Sequence, residues 1–221
     1  MSQVNARLVY RNALRAMQTA GIDPRTAILS QSFLKLEVVA ATGRTNYQFG
    51  VLVNDNIGGQ PSRATETRLN LQDAFYVGTV QVYTSIATSA TATDYAPITW
   101  NNPFQYSTAG AALALNNFYN GSYSLTVNNR VISTAMPIVR HKTVPILQQN
   151  ATAGSGVNTD AFDGVQAAAY ACEPNWVLIG SKNNQLTMNL PAAIGTLQAS
   201  STTVITMLLS GILAQNVTPV S

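Results

Sequence analysis

Six residues in the middle of the chain alternate without a break between two turn dipeptides, Asn120-Gly121 and Asn128-Asn129. Tyr123, Leu125 and Val127 fall on one face, and Ser122, Ser124 and Thr126 on the other. Period-2 alternation of aromatic and β-branched residues marks a strand with one buried face. Asn128-Asn129 followed by Arg130-Val131-Ile132-Ser133 reads as a two-residue hairpin, because Asn tolerates the positive φ of the primed turns. Upstream, Ala111, Ala112, Leu115 and Phe118 recur at helical spacing after Ser107, a good N-cap. A short helix over 108–119 is predicted, and it turns Asn120-Gly121 into a helix stop. The hairpin sets a β-rich architecture.

The rest of the chain supplies partners for that strand. Phe33, Leu34, Leu36, Val38 and Val39 form one run, and Tyr47, Phe49, Val51 and Val53 alternate in another; a hairpin through Ala41–Arg44 is predicted to join them. A polar loop at 56–62 precedes a long strand, Ala74 to Ile86. A Ser/Thr/Ala segment at 87–93 and a Pro-punctuated loop with Tyr95, Trp100, Phe104 and Tyr106 follow. Beyond the central hairpin, Val131–Ala135 and Ile138–Val139 continue as strand, and the Gly-rich 148–163 reads as a long loop. Asn175–Gly180 is a strand, turned by Lys182-Asn183-Asn184 into its partner Leu186, Met188 and Leu190. Val204–Ala214 closes the chain. The fold class expected is mainly β, an antiparallel β-sandwich of about eight strands with two helices.

The first 44 residues differ in charge from the remainder. They carry six cations and two carboxylates, 6 − 2 = +4, whereas the whole chain is +3, which leaves −1 for 45–221. Arg7, Arg11 and Arg15 recur at i, i+4, i+8, one stripe of a helix beside an apolar stripe of Val9, Ala13, Leu14 and Met17. A helix from about Val4 to Ala20 is predicted, stopped by Gly21 and Asp23-Pro24. The division expected is an N-terminal helical arm, 1–25, and a β-sandwich domain, 26–221. The arginine stripe suits nucleic acid or an acidic neighbouring subunit, although a solvated helix face is the commoner origin of such a stripe.

Charged residues make up 10% of the chain and apolar residues 46%, against about 25% charged in an ordinary soluble domain. Such a surface repels its own copies weakly. It suits a subunit of a tight assembly, or a secreted or merely low-charge domain. Cys172 is alone, so no internal disulfide forms and no zinc spacing exists. Met1–Gly21 places three arginines where a signal peptide needs an apolar core. Val204–Ala214 is too short for a bilayer crossing of ~20 residues, so no membrane span is expected.

Catalytic patterns are scarce. His141, the only histidine, lies in Arg140-His141-Lys142 and reads as a surface residue at a strand end. No Gly-x-Ser-x-Gly elbow, phosphate loop or His-Glu-x-x-His occurs. Cys172 reads as a small buried thiol. Asp160 and Asp163 lack EF-hand spacing and offer at most a loose calcium site. The expectation is no enzyme, no catalytic residue, no cofactor and no metal.

The segments Leu69–Phe75, Tyr119–Ile132 and Ile212–Asn216 resemble bacteriophage virion structural proteins, the capsid or coat subunits. The resemblance extends over most of 65–217. It implies a jelly-roll sandwich located in the virion, a subunit that self-assembles into the shell. The implied partners are copies of itself, other virion proteins and packaged nucleic acid, the last reached through Arg7, Arg11 and Arg15. A sandwich carrying Trp100, Trp176 and several tyrosines also suits a carbohydrate-binding or receptor-binding module of a virion appendage, since aromatic faces stack on sugars.

Overall fold

Eight strands pair as one long antiparallel ribbon, the first with the last and so on inward. β1 (Ile28–Val39) pairs with β9 (Thr202–Gln215), and β2 (Asn46–Gly50) with β8 (Asn184–Asn189). β3 (Ala74–Ala87) pairs with β7 (Tyr170–Ile179), and β5 (Ser122–Val127) with β6 (Arg130–Pro137). Rolling the ribbon adds two ladders, β9 with β3 and β8 with β5. Two sheets result: β1-β9-β3-β7, with short β4 (Tyr95–Ile98) beside the far end of β3, and β2-β8-β5-β6. This is the jelly-roll arrangement of two antiparallel sheets. The computed structural model describes residues 3–56, 68–87, 89, 95–98, 111–143, 169–197 and 201–217. Within them the mainly β sandwich expected from the sequence is present, with nine strands.

The alternation in the sequence decides which side chains meet between the sheets. Leu34, Leu36 and Val38 of β1, Val80 and Val82 of β3 and Ile205, Met207 and Leu209 of β9 point inward. They meet Tyr47 and Phe49 of β2, Tyr123 and Leu125 of β5 and Leu186 and Met188 of β8. Each such side chain contributes about 1.5–3 kcal/mol on burial. The closing strand extends the predicted 204–214 by a few residues and lies at the centre of its sheet, between β1 and β3. Helix α2 (Ala111–Tyr119) adds Leu115 and Phe118 to the same core.

Local chemistry accounts for the turns. Asn128 and Asn129 have φ of 47° and 62°, the two left-handed residues of a primed hairpin turn. Gly121 ends α2, its N–H donating to the Phe118 carbonyl at 3.0 Å. A Cβ there would lie 2.8 Å from the Asn189 carbonyl oxygen and 2.5 Å from Leu190 Cδ2, so only glycine fits.

Three expectations are corrected. The segment around Ala41–Arg44 makes no hairpin: β1 and β2 lie in different sheets, and the chain arches across the sandwich through Gly43, at φ 75°. The Lys182–Asn184 turn is a second such arch, between β7 and β8. Alternation gives each strand a buried face, and both strands of an arch can satisfy it from opposite walls. Ile138–His141 is a turn of 3-10 helix rather than strand. At three residues per turn Ile138 and His141 share one face and are buried, while Val139 and Arg140 are exposed. The polar loop at 57–62, the loop around Trp100 and the Gly-rich 148–163 lie outside the described residues.

Candidate functional site

Helix α1 (Gln3–Thr19) lies across the outer face of the β1-β9-β3-β7 sheet. Ala13, Met17 and Ile22 are buried against Ala74, Tyr76, Ile179 and Ile212. Its C-terminus closes with the Gly21 N–H on the Gln18 carbonyl and the Ile22 N–H on the Met17 carbonyl, both 3.0 Å, with Gly21 at φ 84°. That double bond and the Met17–Ile22 apolar pair form a Schellman cap, which turns the chain down onto the sheet. Docking this face leaves Arg11 and Arg15 exposed. The side chain of Arg7 is outside the described residues.

Arg15 does not stand alone. It lines a cleft of about 910 Å³ with Arg130, at the start of β6, and Lys182, in the arch after β7. Val131, Ile132, Val177 and Ile179 give the cleft an apolar floor, and Asn12 and Asn128 add carboxamides. Among the described residues no carboxylate lines it. The cleft opens at one side of the sandwich, where β6 ends one sheet and β7 ends its partner.

Two turns hold the cations. The Asn128 N–H donates to the Asn183 carbonyl at 2.9 Å, and the Asn183 N–H donates to Asn128 Oδ1 at 2.8 Å. The hairpin turn is thereby joined to the arch, Arg130 on one and Lys182 on the other. Asn184 stiffens the arch by donating Nδ2 to the carbonyls of Ile179 and Lys182, both at 2.9 Å. Among the described residues, Arg15, Arg130 and Lys182 form no side-chain hydrogen bond or ion pair. Three cations with no counter-charge among the described residues, above an apolar floor, have the chemistry to receive an anionic group attached to apolar material.

The carboxylates whose side chains are described are occupied. Asp23 Oδ1 accepts the Arg25 N–H at 2.9 Å, and Glu37 is buried and paired with Lys35 at 3.0 Å. Asp55 Oδ2 accepts the Leu52 N–H at 2.8 Å. Buried Asp73 accepts from Asn216 N–H and Asn70 Nδ2, both at 3.2 Å. Asp23, Asp55 and Asp73 hold turns or strand ends, and Glu37 pairs with Lys35 along β1.

The other residues singled out in the sequence do not converge on the cleft. His141 is fully buried, which corrects the surface reading; its Nε2 is 3.0 Å from the Tyr123 hydroxyl, and Tyr170 stacks edge-on at 5.3 Å. Cys172 is buried and free, and loss of solvent pushes its thiol up to about 12. Trp176 is 2% exposed within the core, so it offers no face to a sugar. Trp100, Asp160 and Asp163 are outside the described residues. Among the described residues no three His, Cys, Asp or Glu side chains cluster to hold a metal, and no helix is long and apolar enough to cross a membrane.

Sequence reasoning found Arg15 but missed Arg130 and Lys182. Neither forms a pattern with Arg15 along the chain, and only the junction of the two turns brings them to the same cleft. No protein-family model matches this chain, and a search of curated proteins returns no match.

Proposed function

We propose that this protein is a structural subunit of a virus shell, a bacteriophage coat protein that assembles with copies of itself. The observation that carries the reading is an apolar surface on the outside of the sandwich. Val9 and Tyr10 of α1, the latter 46% exposed, line a groove of about 320 Å³ with Leu29 of β1, and Phe33, 52% exposed, lies on the same face of β1 as Leu29. Contiguous apolar surface marks an interaction site. In a chain with 10% charged residues, packing such a surface against another subunit desolvates few ions.

The jelly-roll wall supports the same reading. Its strands of up to 14 residues are paired along most of their length, which gives a stiff block for repeated use. The same architecture also serves lectins and cupins, so the apolar surface is what favours a shell. The mechanism is assembly: the wall keeps its shape while surface patches and loops bind neighbours. Sedimentation velocity of the purified chain tests this. Discrete large species that grow with concentration are expected, and a single monomeric boundary at all concentrations would remove the proposal.

A further inference from the structure

The cleft between α1, the β5–β6 turn and the β7–β8 arch is preformed, cationic and apolar-floored, and the proposed shell function does not by itself explain it. We propose that it is a socket for an acidic segment of a second copy of this chain, the segment containing Asp160 and Asp163. The proposal rests on the shell reading and names one contact within it.

The chemistry of the cleft selects a peptide carrying carboxylates. Arg15, Arg130 and Lys182 come from three elements and line one space of about 910 Å³ with no acidic side chain among the described residues. Guanidinium groups bind carboxylates through paired N–H donors. Val131, Ile132, Val177 and Ile179 call for an apolar side chain between the carboxylates, and Asn12 and Asn128 can bond a peptide backbone. Among the described residues no aromatic ring lines the cleft for base stacking, which disfavours single-stranded nucleic acid. β6 also pairs only with β5, so among the described residues its other edge is open to an extended segment.

The chain contains a sequence of that kind. Between Lys142 and Lys182 there is no Lys or Arg, while Asp160, Asp163 and Glu173 are present. Glu173 belongs to β7, so the segment itself brings the two carboxylates Asp160 and Asp163 to the cationic cleft. Asp160-Ala161-Phe162-Asp163 places an aromatic residue between two carboxylates, the alternation the cleft requires. Asp23, Glu37, Asp55 and Asp73 are already bound within their own copy.

Charge exchange in the full-length chain tests the contact. One variant carries Arg130→Glu with Lys182→Glu, the other Asp160→Lys with Asp163→Lys; melting curves establish that each folds. The milder Arg130→Gln with Lys182→Gln replaces the first variant if it does not. Each variant alone is expected to associate at least tenfold more weakly than wild type by sedimentation, and an equimolar mixture of the two reversed variants is expected to recover large species. Variants that associate like wild type, or that fail singly and also in the mixture, overturn the socket while leaving the shell reading standing. A cleft variant that assembles normally but no longer retains a single-stranded oligonucleotide overturns it in favour of a polyanion site. A wild-type chain that never associates overturns both.

Discussion

The buried pair of Tyr123 and His141 ties the central strand to the 3-10 turn that follows β6. The hydroxyl and Nε2 are 3.0 Å apart, and both residues are buried. Tyr123→Phe leaves the ring packing in place and removes the oxygen, so a buried ring nitrogen loses this partner. A loss of about 1–3 kcal/mol is expected in denaturant unfolding. Cys172 gives a different signature. In the unfolded chain its thiol ionises near 9.0, while burial holds it protonated to about 12. Unfolding therefore releases a proton across that window, and stability falls as pH rises from about 9, by about 1.4 kcal/mol per pH unit. Burial also raises Tyr83 from 10.0 to about 12, which steepens the fall above pH 10. Cys172→Ala is expected to flatten the slope between pH 9 and 10, measured by chemical denaturation across pH. The buried thiol was legible in the sequence because an isolated Cys in an apolar strand has few other roles. The buried histidine was not, since Arg140-His141-Lys142 reads as a solvated surface and only the three-residue period of the turn directs the ring inward.

Elements were more legible than their partners. The alternation around Tyr123 gave both the strand and its buried face, and the Asn pair gave the hairpin. The helical spacing of Ala13 and Met17 gave the face that docks. What alternation cannot specify is the wall to which the next strand belongs, so the arches at Ala41–Arg44 and Lys182–Asn184 looked like hairpins. Arg130 and Lys182 became neighbours because the misread Lys182–Asn184 arch is bonded to the Asn128-Asn129 turn, and for that reason most of the candidate site was invisible in the sequence. Two outcomes are expected at this scale. Met17→Ala removes the fully buried side chain that anchors α1, at a cost of about 2–5 kcal/mol. Because the helix lies outside the main core, hydrogen exchange should show α1 opening while β3 and β9 stay protected. Gly121→Ala forces a methyl group into the Asn189 carbonyl, and a loss of about 1–3 kcal/mol in thermal or denaturant melts is expected.

For the molecule as a whole, the rolled ribbon and the surface carry different parts of the account. The ribbon accounts for stiffness: β9 is hydrogen-bonded on both sides by β1 and β3 along most of its length, and the two sheets enclose one continuous core. In the proposed assembly the surface would carry the contacts, through the apolar patch around Tyr10 and Phe33 and the cationic cleft at the β6–β7 side. Apolar contact is insensitive to salt, whereas the cleft contact is weakened by it. Raising ionic strength should therefore loosen assemblies without dissolving them if both patches are used. Electron microscopy of the purified full-length chain, concentrated at moderate salt, tests the central claim most directly. Closed particles or regular sheets built from one repeating subunit are the expected result. Fields of separate small particles with no repeating contact, at concentrations where the chain remains folded, would contradict it.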